Sequence, residues 1–225
     1  MNWHEAESLL NLGELGAQWL EGKIDHLPAY GGTAPDPETE PLIPALAALN
    51  RAGFFTENSQ PGELTDHLWQ RATVSGFCDE ELAIRIHHAI AQTGLIGFIC
   101  LPDAKNEILP IPVTLDRSDS PPDDGQEQIA PGVKIHTWTG CPADAESIDH
   151  FYVSELSPAA VAVLHNSWQL EIVDPVWGRN DLLWPVLVSA VGRADAASYD
   201  PDRTTASDPS VSTLSETVCL DKSMS

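Results

Sequence analysis

Positive charge is what this chain has least of. Its 225 residues hold 11 lysines and arginines against 34 aspartates and glutamates, a formal net charge of −23. Phosphate contacts need clustered Lys and Arg, and so does docking on an anionic membrane, so neither nucleic acid nor membrane is expected as a partner. Cysteine is also sparse. Cys78, Cys100, Cys141 and Cys219 include no pair with the C-x-x-C spacing of redox or zinc sites. No H-x-x-x-H places two histidines on one helical face, and no metal site is expected. No apolar run approaches the roughly 20 residues of a membrane span. The start Met1-Asn2-Trp3-His4-Glu5 lacks both the basic and the apolar region of a secretory leader. These absences together read as a cytoplasmic protein with reduced thiols.

What is present suffices for a core, since hydrophobic residues make up 42% of the chain. The acids are scattered, and the longest run is Asp79-Glu80-Glu81. That spread reads as solubility and repulsion between copies; the alternative is a face that attracts a basic partner. Residues 1–193 read as a single globular domain. Residues 194–225, rich in Ser, Thr and Asp with few large apolar side chains, read as a disordered acidic tail.

Along the chain, the first 24 residues read as helix in two pieces. Asn11 is the expected cap of the second, and Leu12, Leu15, Trp19 and Leu20 form its apolar stripe. Gly13 and Gly16 weaken that helix or permit close packing. Asp36-Pro37 opens a second helix, in which Pro44 marks a bend or the true start, and Gly53 stops it. Thr56 to Pro61 reads as a polar loop and Thr65 to Phe77 as extended chain. Residues 69–101 resemble a strand–helix–strand unit between parallel strands, with Asp79 capping the helix. Ile108 to Leu115 is a strand whose Pro110 and Pro112 suggest an edge. Residues 116–131 form an acidic loop expected to be mobile, and Val133 to Thr139 a strand. Two helices follow, the second opened by Ser157-Pro158; then a strand at Gln169 to Val173 and a last helix carrying Leu182, Leu183, Val186 and Leu187. The sum is α+β: a single mixed sheet of about five or six strands with helices packed on it, preceded by two N-terminal helices.

Leu49-Asn50-Arg51-Ala52-Gly53, Thr56, Ser59-Gln60-Pro61-Gly62, Gln70-Arg71-Ala72, Gly76-Phe77 and Trp177-Gly178-Arg179 form a combined pattern. It resembles an uncharacterised domain family of Streptomyces-like actinobacteria and their phages. The resemblance covers roughly residues 3–192 and implies one domain in a bacterial cytoplasm, with no catalytic residues or cofactor to carry over.

Candidate chemistry concentrates in two places. Thr56, Ser59 and Gln60 offer donors and acceptors to a ligand, with Arg71 as a clamp for an anionic group; alternatively these side chains satisfy the loop's own backbone. Trp177 and Arg179 lie between a strand and a helix, where a ring can stack and a guanidinium can pair. There the alternative is an anchored turn, with Asn180 capping the helix and Arg179 paired to Asp174 or Asp181. His87-His88 read as the edge of a solvated helix face, the lone His165-Asn166-Ser167 as an incomplete two-histidine motif, and Cys78, Cys100 and Cys141 as small core or turn residues, with Cys219 in the tail; Cys78 as a nucleophile is opposed by the acids that follow it. The leading reading is a small-molecule-binding domain, with enzyme activity left open and its site at Thr56–Gln60. The alternative is an acidic interaction module that binds a basic host or phage protein.

Overall fold

In the computed structural model the described residues are 1–30, 32, 34–102, 110–117, 127–140 and 142–192. The tail from 194, the centre of the acidic loop, Cys141 and Cys219 lie outside them. Six α-helices and nine strands are described, and the strands form two sheets rather than the expected one. All pairings are antiparallel.

A short 3₁₀ turn, Trp3–Glu5, precedes α1 (Leu9–Leu20). Ser8, not Asn11, caps α1: its hydroxyl accepts from the Asn11 amide, while the Asn11 side chain accepts from the Glu7 amide. Pro37–Leu42 is a 3₁₀ helix in which Asp36 makes no capping bond, and Pro44 falls in the first turn of α2 (Ile43–Arg51). A Cβ on Gly13 would meet the Asn50 carbonyl oxygen at 1.9 Å, so the absent side chain lets α1 lie directly on α2. At that contact the buried Asn50 side chain donates to the Leu46 carbonyl and to Thr56 Oγ1, and accepts from the Thr56 amide.

The segment expected as a polar loop is instead β1 (Phe55–Gln60). Its polar side chains occupy a strand because neighbours on both faces use them, and the hairpin turn falls after Gln60. β2 (Glu63–Leu64) and β3 (Leu68–Gln70) follow. At Arg71-Ala72 the chain leaves one sheet for the other, so the expected continuous strand is broken there before β4 (Thr73–Cys78). Asp79 caps α3 (Glu80–Ile90), accepting from the Leu82 amide at 2.8 Å. β5 (Ile96–Cys100), β6 (Ile111–Asp116), β7 (Glu127–Ala130) and β8 (Val133–Thr139) come next. α4 (Ala145–Tyr152) and α5 (Pro158–His165), β9 (Trp168–Val173) and α6 (Leu183–Gly192) complete the order.

The first sheet runs β1-β4-β9-β5, the second β2-β3-β6-β8-β7. β4 and β5 do run parallel, since each is antiparallel to β9, but β9 lies between them. β6 is internal, not an edge. Its register shifts between Pro112 and Thr114, and such a bulge accommodates a residue that has no amide to give to the ladder.

Alternate side chains of the first sheet face opposite ways. Val74, Cys78, Leu170 and Ile172 enter the core with Leu12, Leu46, Leu49, Leu82, Ile86 and Leu187 of the helices. On the other face Ser75 stands opposite Glu171, and Phe77 opposite Gln169. Phe77 is closed over there by Tyr152, with ring centroids 6.4 Å apart, whereas Ser75, Gln169 and Glu171 line an open cleft. That face is where the site begins.

Candidate functional site

A cleft of about 620 Å³ opens over the polar face of the first sheet. Its floor is Glu57, Asn58, Ser59 and Gln60 of β1, Thr73 and Ser75 of β4, and Gln169 and Glu171 of β9. Thr137, Trp138 and Thr139 of β8 form one wall, and Ser147 and Phe151 of α4 another. Gln169 fixes the link between these walls, accepting from the Ala143 amide and donating to the Ala143 carbonyl, each at 2.7 Å.

Two carboxylates in the cleft are held differently. Glu57 sits at a β-bulge: Thr56 pairs with Gly76 and Asn58 with Ser75, so Glu57 has no partner on β4. A bulge re-aims the side chain of its extra residue. Here it brings Glu57 Oε1 within 2.7 Å of the Tyr152 hydroxyl, which donates to it. Burial pushes the Glu57 carboxyl up to about 7; the Tyr152 bond opposes the rise and the nearby Glu171 adds to it. The Tyr152 hydroxyl is itself raised, by burial first and then by Glu57. Glu171 is 7% exposed. Its Oε2 accepts from Thr139 Oγ1 at 2.6 Å and from the Gly140 amide. Its Oε1 has no donor among the described residues. At the mouth stand two exposed aromatics, Trp138 and Phe151.

The six residues singled out in the sequence divide among this cleft and two other places. Ser59 and Gln60 line the cleft. Gln60 is also a fastener: its Nε2 donates to the carbonyls of Arg71 and Val113, and its Oε1 accepts from Thr114, which ties β1 to the second sheet. Thr56 is engaged by Asn50 and faces a smaller cavity of about 120 Å³ together with Trp19 and Tyr30.

Arg71, Trp177 and Arg179 come together, but not among the residues around the cleft. Arg71 lies over the Trp177 ring at 4.0 Å and donates to the Pro112 carbonyl. Arg179 grips the fully buried Asp174 through two hydrogen bonds, 2.6 and 2.7 Å. Asn180 caps no helix; its side chain exchanges two hydrogen bonds with the Gly62 peptide. A Cβ on Gly62 would meet the Arg179 carbonyl oxygen at 2.6 Å. The Gly178 amide donates to the Gln70 carbonyl at 2.8 Å. Residues of the combined pattern thus lock onto one another and onto the adjoining Asn180: Gln70 on Gly178, Arg71 on Trp177, and Gly62 on Asn180.

Glu57, Tyr152, Trp138, Phe151 and Glu171 were missed in the sequence. Glu171 carried a readable signal, the one charged residue in the mostly apolar run Trp168–Val173. Glu57 carried a weaker one, the only charge within β1. Tyr152 and Phe151 look like ordinary residues of an amphipathic helix. The remaining candidates have structural partners. His165 Nε2 is 2.8 Å from Asp149 Oδ1, and the Ser167 hydroxyl donates to the Val163 carbonyl. Cys78 is fully buried, and burial pushes its thiol well above the ordinary value, opposite to what a nucleophile needs. Among the described residues no three His, Cys, Asp or Glu side chains are arranged to hold a metal ion, and no helix is long and apolar enough to cross a membrane.

A two-sheet α+β scaffold with a carboxylate cleft on one sheet face is the class these observations define. The chain belongs to the DUF6919 family, a domain of unknown function, which spans residues 1–194. No curated protein matches it.

Proposed function

We propose that this protein binds a small molecule in the cleft between β1, β9, β8 and α4. The observation that carries this reading is the convergence of two differently held carboxylates, Glu57 and Glu171, in one cleft of about 620 Å³ with exposed aromatic rings at its mouth. A concave site of this volume with convergent polar groups and a carboxyl held near neutrality is the default place for a small ligand. Glu57, titrating near neutral pH, is equipped to take up or release a proton on that molecule, while Glu171 offers a fixed acceptor. The site includes Ser59 and Gln60, and replaces Arg71, Trp177 and Arg179 with Glu57, Glu171, Trp138 and Phe151.

The test is a thermal-shift screen against nucleotides, amino acids, sugars, coenzymes, amines and divalent metals, followed by the same screen on Glu171→Gln and Trp138→Ala. A ligand that binds only the folded state raises the melting temperature by mass action, by an amount that grows with its concentration. The shift is expected in the parent and lost in both variants. A ligand whose shift is untouched by either substitution binds elsewhere and sinks the reading.

A further inference from the structure

The chemistry of the cleft narrows the ligand further, on the footing that the cleft is a ligand site. Among the described residues its lining contains three carboxylates, Glu38, Glu57 and Glu171, and no lysine, arginine or histidine. An anionic ligand would meet only like charge there. A neutral ligand would leave Glu171, 7% exposed and held at Oε2 by Thr139 and the Gly140 amide, with no positive partner among the described residues of the cleft. Leaving a buried charge uncompensated is unfavourable, and a bound donor of positive charge removes that cost. The two exposed rings make a second, independent point. Trp138, 41% exposed on β8, and Phe151, 51% exposed on α4, line the same cleft. Aromatic faces beside carboxylates are the surroundings in which alkylammonium and guanidinium groups bind.

We propose that the cleft takes a small organic cation, an amine or guanidine on an apolar body, with its N–H groups on Glu171 Oε1 and Glu57 and its body against Trp138 and Phe151. The groups around Glu57 are Tyr152 from α4, Glu171 from β9, Glu38 from the 3₁₀ helix and, at the smaller cavity behind it, Asp36. Beyond Tyr152 lies Glu155, paired to His26. A cation arriving beside Glu57 displaces the proton that this carboxyl partly holds at neutral pH. Binding therefore releases a proton near pH 7 and tightens between pH 6 and pH 8. Exposed carboxylates, ionised throughout that range, give neither effect.

The experiment is isothermal titration of the full chain in about 150 mM salt, near physiological ionic strength. The cationic probes are agmatine and phenethylamine; glucose and benzoate serve as neutral and anionic counterparts. Titrations at pH 7 in phosphate and in Tris separate proton release from binding heat. The expected result is one-to-one binding of a cationic probe, about tenfold tighter at pH 8 than at pH 6. Glu57→Gln should remove the pH dependence and the proton release, and Glu171→Gln should weaken binding about tenfold or more. Glu80→Gln, on the exposed side of α3, should change nothing. Circular dichroism melts confirm that each variant is folded.

Glucose or benzoate binding that is lost in Glu171→Gln, without binding of either cation, overturns the cation inference and leaves the cleft as the site. Weak multi-site cation binding that Glu80→Gln reduces as much as Glu171→Gln overturns it as general charge attraction. Failure of both cations to bind at millimolar concentration overturns it as well.

Discussion

At the scale of single residues, Glu57 has the clearest measurable consequence. An ordinary carboxyl titrates at 4.5, whereas the folded protein holds this one at about 7. Between those values the native state binds the extra proton, so the group's contribution favours folding at low pH and is lost as pH rises through 7. Roughly 2–3 kcal/mol of stability should disappear between pH 4.5 and pH 8 from this residue. Urea denaturation of the parent and of Glu57→Gln across that range checks it. The variant, which keeps an acceptor for Tyr152, should show a shallower fall. Equal slopes would mean that Glu57 is an ordinary carboxylate. The same residue illustrates what single-residue reading missed. A glutamate among Thr56, Asn58, Ser59 and Gln60 looks like one more solvated charge, and only the bulge in the β1–β4 register turns it into the cleft.

At the scale of elements, the turn after β9 matters most. Trp177, Gly178, Arg179 and Asn180 reach back to Arg71, Gln70 and Gly62, and Gln60 reaches Val113 and Thr114, so the two sheets are joined through side chains as well as through the chain. Asp174 is fully buried and depends on Arg179 for its counter-charge. Arg179→Ala should therefore lower the melting temperature at least twice as much as Arg51→Ala, which removes an arginine bound to Glu14 and Glu21 at the surface. A calorimetric comparison of the two variants decides it; equal losses would remove the fastening role. Elements with local signals were legible in the sequence. Asp79 and Ser157 cap the helices they were read to cap, and the strand Val133 to Thr139 has the predicted limits. Pairing was not legible. Nothing local in Thr65–Phe77 announces that the chain changes sheets at Arg71, and nothing around Pro112 reveals that its strand is internal, because both depend on partners distant in sequence. Five of the six site residues drew notice for their hydrogen-bonding or pairing capacity, and Trp177 for its ring. Much of that capacity is spent on other parts of the fold, which residue type alone does not disclose.

At the scale of the whole molecule, charge dominates. A chain of net −23 repels itself in the compact state, and its few exposed ion pairs offset little of that. Raising sodium chloride from about 10 mM to about 500 mM shortens the screening length from roughly 30 Å to under 10 Å. The melting temperature at pH 8 should rise by several degrees over that range. A fall would mean that paired surface charges outweigh the repulsion. The same salt should weaken a cation in the cleft less than one held on the open surface, because Glu171 is 7% exposed and largely out of reach of mobile ions.

The interlocking of Gly62 with Asn180, Gln70 with Gly178 and Arg71 with Trp177 has a consequence for how relatives of this chain should be sorted. Those positions report that two sheets are fastened together, and they say nothing about what the molecule holds. A sequence that keeps all of them is expected to keep the same fastening of its two sheets. If the cleft binds the ligand proposed above, the positions that distinguish one occupant from another are 57, 138, 151 and 171. Replacement of both acids by neutral residues would mark a relative with the same architecture and a different occupant.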